Sequence, residues 1–475
     1  MATKTSKALL EGPVLSSLVK LAVPIVLANL LQAAYQLVDA FWVGRLGGYA
    51  VAAVSVSTPV TFLTMALGTG FALAGSILIA QYFGAGNQRM VNYVAAQTLV
   101  LIVVISVVLG AAGYVCSPFF LSLLKVSPDV YQGALGFLRV SFIGLVFNFS
   151  FFVFQSVMRG VGNPTLPVFI VFGTVALNFL LDPLFIFGWG PIKGQGVMGA
   201  ALATLSTQIL ASVTGFIILF RGKRGVHVRR QDFFPDWQHI KRAFSLGFPA
   251  SIEQSMRALG LTVLTFLIAS FGTTTVASYG AGSNVLQMVM IPAMGLSMAI
   301  STLAGQNIGA GNMQRAVKVA RLGSILGFSI FTFVGIAVYF TAPYLVAFFV
   351  PEDAAVIRGG STFLHTISWA WGFMGLQLCL TGVLRASGNM IVAMVLTLIS
   401  QWVLQFPLAY VLSHHAGLGQ EGIWWAFPIT QITIALITLG VYAKGDWKKK
   451  RLTDEDNRLT TEIVQEVTAE EGINR

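Results

Sequence analysis

Twelve long apolar segments, separated by short polar turns, dominate this sequence. Each is about as long as the roughly 20 apolar residues that an α-helix needs to cross the hydrocarbon core of a bilayer. Only 10% of the residues are charged, where a soluble domain carries about 25%. The sequence therefore predicts an all-α polytopic membrane protein. Its twelve predicted spans are residues 17–43, 49–78, 93–117, 133–157, 165–188, 197–220, 243–271, 277–303, 319–342, 361–384, 390–412 and 422–443.

The basic residues fall mainly in alternate loops. One set of loops, together with both terminal segments, holds the basic stretches 221–242 and 444–451. The other set holds only Arg45, Lys125, Arg139, Lys193 and Arg358. Because positively charged loops stay in the cytoplasm, we predict a multi-pass protein of the plasma (inner) membrane with both termini cytoplasmic. The net charge of +11 follows this topology and does not indicate a nucleic-acid partner.

The two halves of the chain repeat each other. Residues 24–95 match residues 249–320 at a constant offset of 225, and this match includes the turn GAGN at 84–87 and again at 309–312. Further on, MRGVGN at 158–163 recurs as LRASGN at 384–389. Since each copy holds six spans, an even number, both copies enter the membrane in the same sense. The predicted fold is therefore two six-helix bundles related by a pseudo-two-fold axis along the membrane normal, a parallel repeat.

The bounds of the predicted spans divide the chain into five segments. They are a cytoplasmic N-terminus (1–16), an N-lobe with spans 1–6 (17–220), a cytoplasmic basic linker (221–242), a C-lobe with spans 7–12 (243–443) and a cytoplasmic tail (444–475). The linker is either a short helix on the membrane surface or a solvated connector. The tail becomes acidic and polar after Lys450, and we expect that part to be mobile.

Acidic residues inside the predicted spans are the first candidates for function. Only Asp39, Asp182 and Glu253 lie well inside a span. A charged group at that depth costs roughly 2.5–3.5 kcal/mol on insertion scales, so its presence indicates a function. Asp39 lies in the outer half of span 1. Tyr35, four residues earlier, and Gln32, seven residues earlier, share its helix face.

Three further polar side chains reach the level of Asp39. Asn178 and Asp182 share one face of span 5 at i and i+4, and Thr204 lies about two turns into span 6. Two carboxylates, an amide oxygen and a hydroxyl at one level fit an oxygen cage for Na⁺, a coupled carboxylate pair that holds a proton, or a purely structural buried cluster. The corresponding positions in the second half are apolar: Leu264, Trp402, Phe406 and Phe427. We therefore expect the first half to be the ion-coupling lobe.

Glu253 has a different setting, near the cytoplasmic start of span 7. Arg257 follows it by four residues, and an ion pair at i and i+4 lets both charges share a helix face. This spacing predicts a structural or gating pair, with a second ion site as the alternative. Arg159 and Arg385 precede glycine-rich cytoplasmic turns, so we interpret both as topology anchors.

No cofactor or catalytic centre is expected. Cys116 and Cys379 form no spacing pattern and the five histidines are scattered, so the sequence indicates no metal site beyond the Na⁺ cage. The spans contain no constellation of nucleophile, base or metal ligands that would support a membrane enzyme. No glycine-rich phosphate loop supports transport driven by ATP.

Four motifs resemble the multidrug and toxic compound extrusion (MATE) family, and most closely its DinF-like prokaryotic branch. They are LVDAFWVGRLG in span 1, GAGN after spans 2 and 8, MRGVGNP after span 4, and NFLLDPLF in span 5, and the likeness covers roughly residues 10–445. The resemblance implies two six-helix bundles that form a V. It implies export of amphipathic, often cationic, drug-like compounds by antiport against H⁺ or Na⁺. It further implies a coupling site made of Asp39, Asn178, Asp182 and Thr204, with Tyr35 and Gln32 nearby.

We therefore expect a secondary active multidrug exporter that works by alternating access. It would act as a monomer in the lipid bilayer, with H⁺ or Na⁺ as the coupling ion. One alternative is a flippase for lipid-linked oligosaccharide of the same superfamily. A flippase is expected to have a more cationic central cavity than this sequence indicates, since Arg257 is the only arginine placed well inside a span. The alternative of another class is a polytopic membrane enzyme.

Overall fold

Eleven of the twelve predicted spans are confirmed as long helices, and the remaining one, span 10, is a bent pair of shorter helices. A computed structural model describes residues 10–222 and 225–453 of the chain. Its main helices are α1 (Val14–Gly44), α2 (Gly48–Gly84), α3 (Gln88–Leu123), α4 (Pro128–Gly160), α5 (Thr165–Phe187), α6 (Val197–Arg221), α7 (Trp237–Ala269), α8 (Thr273–Gly309), α9 (Met313–Phe349), α10 (Ala354–Ser368), α11 (Trp371–Ala386), α12 (Met390–His414) and α13 (Gln420–Lys444). The strands β1 (Gly188–Trp189) and β2 (Ile192–Lys193) form a small antiparallel pair between α5 and α6.

Two spans are less regular than the sequence predicts. Span 10 is broken into α10 and α11, which meet at a bend of 54°. Within α12, residues Ile399–Gln405 form a π-helical segment, which widens the helix locally. With the bent pair counted as one span, the described residues contain twelve apolar crossings.

The repeated GAGN turns determine where α2 and α8 end. Gly86 and Gly311 both have φ of 75°, the left-handed region that glycine adopts without strain. The following residues, Asn87 and Asn312, cap the next helix. Each side chain accepts a hydrogen bond at 3.1 Å from the backbone N–H three residues later.

Each half of the chain has its own hydrophobic core. The first core is built mainly from α2 to α6, and the second mainly from α8 to α13. The beginning of α1 is an exception, because Leu18 and Leu21 pack in the second core. The beginning of α7 does the reverse, since Ala243 and Leu246 pack in the first core. The two bundles therefore exchange the first part of their leading helices.

The bundles meet at the end of the molecule where α1 begins and α13 ends, which we call the terminal side. Gln81 donates from Nε2 to the carbonyl oxygen of Ala386 at 2.7 Å. Its counterpart Gln306 donates in the same way to the carbonyl oxygen of Gly160 at 2.8 Å. These reciprocal hydrogen bonds hold the two bundles together on the terminal side.

The chain that follows α13 reinforces this contact. Leu452 is buried, and its backbone N–H donates to Gln81 Oε1 at 2.9 Å. Its carbonyl oxygen accepts a hydrogen bond from Arg242, while the neighbouring Arg451 donates to the carbonyl oxygen of Gly309. The start of the predicted tail thus packs between the bundles. The acidic part predicted to be mobile, residues 454–475, lies outside the described residues.

The described part of the basic linker packs on the first bundle. Gln97 of α3 donates to the carbonyl oxygens of Asp232 at 2.8 Å and Phe234 at 2.7 Å. Asp236 caps α7 and also accepts a hydrogen bond from the Tyr93 hydroxyl at 2.6 Å. The first of these contacts, at Asp232, lies in a short 3₁₀ turn, Arg230–Phe233. Gln88 and Asn92 of α3 also bond to the backbone of Gly225 and His227, so the linker is anchored to α3 in both of its halves.

Candidate ion-coupling site

The Asp39 carboxylate lies where three helices of the first bundle meet. Asn178 of α5 donates from Nδ2 to Asp39 Oδ1 at 2.8 Å. Thr204 of α6 donates from Oγ1 to Asp39 Oδ2 at 3.3 Å. Asp39 itself is half-buried in the last two turns of α1. Three of the predicted coupling residues thus share one hydrogen-bond network.

Asp182 adds a second carboxylate one turn further along α5. Asn178 and Asp182 are both fully buried, each with 0% of its surface exposed. Asp182 lies one helical turn after Asn178, whose amide bonds to Asp39, so the two carboxylates belong to one cluster. All four predicted residues therefore lie together, in the half of the bundle that is remote from the terminal side.

Three buried oxygen atoms of this cluster lack a hydrogen-bond donor. No group among the described residues donates to Asp182 Oδ1, to Asp182 Oδ2 or to Asn178 Oδ1. A buried acceptor without a donor costs about 1–3 kcal/mol, and more when it is charged. A bound cation supplies the missing positive charge, and a proton turns one carboxyl oxygen into a donor. The cluster has the excess of acceptors that suits either species.

Tyr35 is tied to the site through a residue that the sequence analysis missed. Its hydroxyl forms a hydrogen bond of 2.6 Å with Thr207 Oγ1. Thr207 lies one turn after Thr204 on α6, and its hydroxyl contacts the Thr204 carbonyl oxygen at 2.8 Å. The spacing of Thr204 and Thr207 at i and i+3 was the available signal. Gln32 is half-buried on the same helix and makes no hydrogen bond to these side chains within the described residues.

The second half has no such polar cluster at the equivalent positions. Leu264 and Phe427, the counterparts of Asp39 and Thr204, are buried with 2% and 8% of their surfaces exposed. Both belong to the apolar core of the second bundle. The second bundle therefore packs apolar side chains at these two positions, where the first bundle holds polar ones, as the comparison of the two repeats predicts.

A second cluster of charges surrounds Glu253 near the start of α7. The predicted pair with Arg257 is present, with 3.4 Å between Arg257 Nη2 and Glu253 Oε1. The same oxygen also forms an ion pair with Arg385 of α11 and accepts a hydrogen bond from Thr397 at 3.1 Å. Glu253 is fully buried, and its single negative charge lies between the two arginines.

The structure corrects the interpretation of Arg385 as a topology anchor. An anchor keeps its charge in water or among headgroups, whereas Arg385 has only 8% of its surface exposed and pairs with Glu253. Both Arg257 and Arg385 therefore carry a positive charge into the second bundle. The sequence could not show this pair, because its partners lie 132 residues apart and only the tertiary fold brings their side chains together.

Comparison with known proteins agrees with this architecture. The MatE family profile matches residues 24–184 and 249–411, one segment in each repeated half. The probable multidrug resistance protein YpnP of Bacillus subtilis is 31% identical over 448 residues, which cover 94% of this chain and 98% of that protein. A FAD transporter of Shewanella oneidensis is 26% identical over 91% of this chain and 95% of that protein.

A solved structure shares the whole fold. It is the outward-facing conformation of a multidrug resistance MATE family transporter of the MOP superfamily, with a TM-score of 0.87 over 94% of this chain and 99% of that one, at 23% identity. The family profile, the long relative above 30% identity and the two-bundle architecture all point the same way. The chain is a transporter and not an enzyme: it belongs to the multidrug and toxic compound extrusion (MATE) family of membrane proteins.

Proposed function

We propose that this protein exports amphipathic, often cationic, drug-like compounds in exchange for H⁺ or Na⁺ that binds at the Asp39–Asp182 cluster. One observation carries the proposal: three buried acceptor oxygens without a donor lie beside the Asp39 carboxylate. A small cation is the species that such a cluster lacks. The name of the relative YpnP, a probable multidrug resistance protein, supports drug-like compounds as the cargo.

Ion binding in this proposal decides which side of the transporter opens. While the site is empty, closing the first bundle would bury the half-buried Asp39 carboxylate beside the already buried Asp182 carboxylate without a counter-charge, which is unfavourable. A proton or Na⁺ taken up from the outer side removes this penalty. The first bundle then closes around the site and displaces the cargo. Release of the ion on the opposite side returns the transporter to its starting state.

The terminal side is the cytoplasmic gate in this scheme. We place both termini in the cytoplasm of the plasma membrane because the basic loops lie at that end. The reciprocal hydrogen bonds of Gln81 and Gln306 then form the contact that must break when the protein opens inward. One copy of the chain contains the whole coupling cluster and both sides of this gate, so we propose that a monomer is sufficient.

A substitution of Asp39 tests the coupling site. Asp39→Asn keeps the shape of the side chain but can neither hold a proton nor offer a carboxylate to Na⁺. We expect cells that express this variant to accumulate ethidium as empty cells do, at unchanged protein abundance in the membrane. Asp446→Asn is the matched control, because Asp446 is exposed and its one ion pair within the described residues is with exposed Lys449, at 3.0 Å. Full efflux by the Asp39→Asn variant would refute the assignment.

The identity of the coupling ion needs a separate measurement. Purified protein in liposomes is given either a pH gradient or an Na⁺ gradient, and the export of each cargo is followed. The panel includes cationic dyes and also FAD, since one relative is named a FAD transporter. Export driven by the pH gradient alone assigns H⁺, and export driven by the Na⁺ gradient alone assigns Na⁺. Export of equal rate without either gradient would contradict ion coupling.

A further inference from the structure

The first bundle contains the equivalent of Arg385 but lacks the carboxylate that pairs with it. The motif MRGVGN aligns with LRASGN, which places Arg159 opposite Arg385. The constant offset of 225 places Ala28 opposite Glu253. In the second bundle, the carboxylate of Glu253 neutralises Arg385. In the first bundle, the same position holds only a methyl group.

A pocket occupies the space where that carboxylate would lie. It is bounded by α1, α4 and α5, and its wall includes Ala28 and Arg159 themselves. The other polar groups on the wall are the side chains of Asn29 and Gln155, and two prolines, Pro164 and Pro167, help to close it. The pocket thus brings together one guanidinium and two amides.

The polar groups of this pocket have no partner in the described part of the chain. No ion pair or hydrogen bond joins the side chains of Arg159, Asn29 or Gln155 to any residue within 10–222 and 225–453. Arg159 lies in the last turn of α4, where the helix dipole favours a positive charge. The dipole does not supply acceptors for the five N–H groups of a guanidinium, which are left to a ligand or to water.

We infer that this pocket, between Arg159 and Ala28, binds an anionic group, a carboxylate or a phosphate, in the place of the missing side chain. Guanidinium groups bind such oxyanions through paired hydrogen bonds, and side-chain amides supply further donors. The cavity holds about 10 Å³, room for one oxygen-sized group. The anion therefore places one oxygen inside and keeps the rest of the molecule at the open side.

Two sources supply such an anion: the headgroup of an acidic lipid, or a small anion from water. The inference goes beyond ion-coupled export and does not depend on it, because the pocket shares no residue with the Asp39 cluster. Loss of anion binding and loss of cation coupling are therefore measured on different variants. Asp39→Asn is expected to retain the anion site.

Ligand binding to the full-length protein tests the site. Delipidated protein in a neutral detergent is titrated with inorganic phosphate at constant ionic strength, and the thermal unfolding midpoint is recorded. In a second arm, native mass spectrometry measures the retention of phosphatidylglycerol against phosphatidylcholine. The variants are Arg159→Gln, which removes the charge, and Arg159→Lys, which keeps it. We expect at least tenfold weaker binding in Arg159→Gln, with part of the affinity kept in Arg159→Lys.

A second variant tests the site without any ligand. Ala28→Glu restores the charge pattern of the second bundle, so it should raise the unfolding midpoint of the wild-type protein and abolish anion binding. The same substitution in the Arg159→Gln background should lower the midpoint, because the new carboxylate has no partner there. This comparison forms a double-mutant cycle.

The two probes distinguish a small anion from a lipid headgroup as the ligand of the pocket. A saturable response to phosphate assigns a small anion, and selective retention of phosphatidylglycerol assigns a lipid headgroup. Either result, if lost in Arg159→Gln, supports the site. The inference is overturned if wild type and Arg159→Gln respond alike to both probes, which would leave only water in the pocket. It is also overturned if Ala28→Glu destabilises both backgrounds equally.

Discussion

At the scale of single residues, Asp39 shows what a sequence can predict about a buried site. Its depth in an apolar span marks it, and the spacing of Asn178 and Asp182 places both on one face of a helix. Thr207 carries a weaker signal, its spacing of three residues from Thr204. A threonine in a membrane helix commonly bonds to its own helix, as Thr207 does to Thr204. Its contact with Tyr35 joins residues 172 apart and exists only once α1 and α6 pack.

The charges around Glu253 allow a prediction of stability. Glu253→Gln leaves Arg385 buried without a counter-charge, which costs about 3–5 kcal/mol when one partner of a buried pair is removed. We expect a clear fall in the thermal unfolding midpoint of the purified protein. The double variant Glu253→Leu with Arg385→Met should recover part of that loss, because it removes the more deeply buried guanidinium and leaves only the more exposed Arg257 without its partner.

The control for this prediction is the exposed pair of Asp446 and Lys449, whose side chains are 72% and 80% exposed. Removing such a pair costs at most about 1 kcal/mol. The ion pair of Glu253 does not stabilise the fold if Glu253→Gln lowers the unfolding midpoint no more than Asp446→Asn, or if the double variant is as unstable as Glu253→Gln alone.

At the scale of helices, the ends and irregularities of the spans are what sequence reasoning predicts least well. Hydropathy marks the part of a helix that crosses the hydrocarbon core, but α2 continues to Gly84 and α8 to Gly309 because the turn residues decide where they stop. The bend between α10 and α11 occurs without a proline, at Trp369–Ala370. The π-helical segment Ile399–Gln405 likewise depends on packing between helices, which local sequence does not report.

The ends of α2 and α8 yield a prediction about the contact between bundles. A Cβ at Gly84 would overlap the carbonyl oxygen of Gln306, and a Cβ at Gly309 would overlap that of Gln81. We expect Gly84→Ala and Gly309→Ala each to push the bundles apart on the terminal side. Hydrogen–deuterium exchange in the turn after α2 should then become at least several-fold faster.

Gly48→Ala is the matched control, because Gly48 starts the same helix and a Cβ there meets no atom within 4 Å. Its exchange should equal that of the wild type. If exchange in Gly84→Ala also equals that of the wild type, the close approach of the two backbones at Gly84 does not hold the terminal side closed.

At the scale of the whole molecule, the internal repeat predicts two parallel bundles, and the family comparison confirms them. The repeat cannot predict that α1 and α7 begin in the core of the opposite bundle. A constant offset relates each residue to its counterpart but does not specify which neighbours surround it. The packing of Leu452 against Gln81 is equally hidden, because it joins residues 371 apart.

The chain after α13 allows a prediction about the closed gate. A chain that stops after Lys450 loses three hydrogen bonds to the two bundles: Arg451 to Gly309, the Leu452 N–H to Gln81, and Arg242 to the Leu452 carbonyl oxygen. Each is worth about 1 kcal/mol, so their loss shifts the equilibrium between closed and open terminal sides by up to roughly a hundred-fold. Spin labels at the exposed residues Ala85 and Ala310, in a Cys116→Ser background, report the distance between the bundles.

A chain that stops after Thr453 provides the control, since it keeps both contacts and lacks only residues 454–475. We expect the population of long distances between the two labels to increase only in the chain that stops after Lys450. An identical distance distribution in the two truncated chains and the full-length protein would show that this segment does not stabilise the closed gate.

The central claim is that a small cation bound between Asp39 and Asp182 drives export. The direct test is to record ion entry and cargo exit together in liposomes, for the wild type, Asp39→Asn and Asp182→Asn. The account predicts that the wild type moves H⁺ or Na⁺ inward in a fixed ratio to exported cargo, and that neither variant moves the ion. Ion-coupled export at the wild-type ratio in either variant would contradict it.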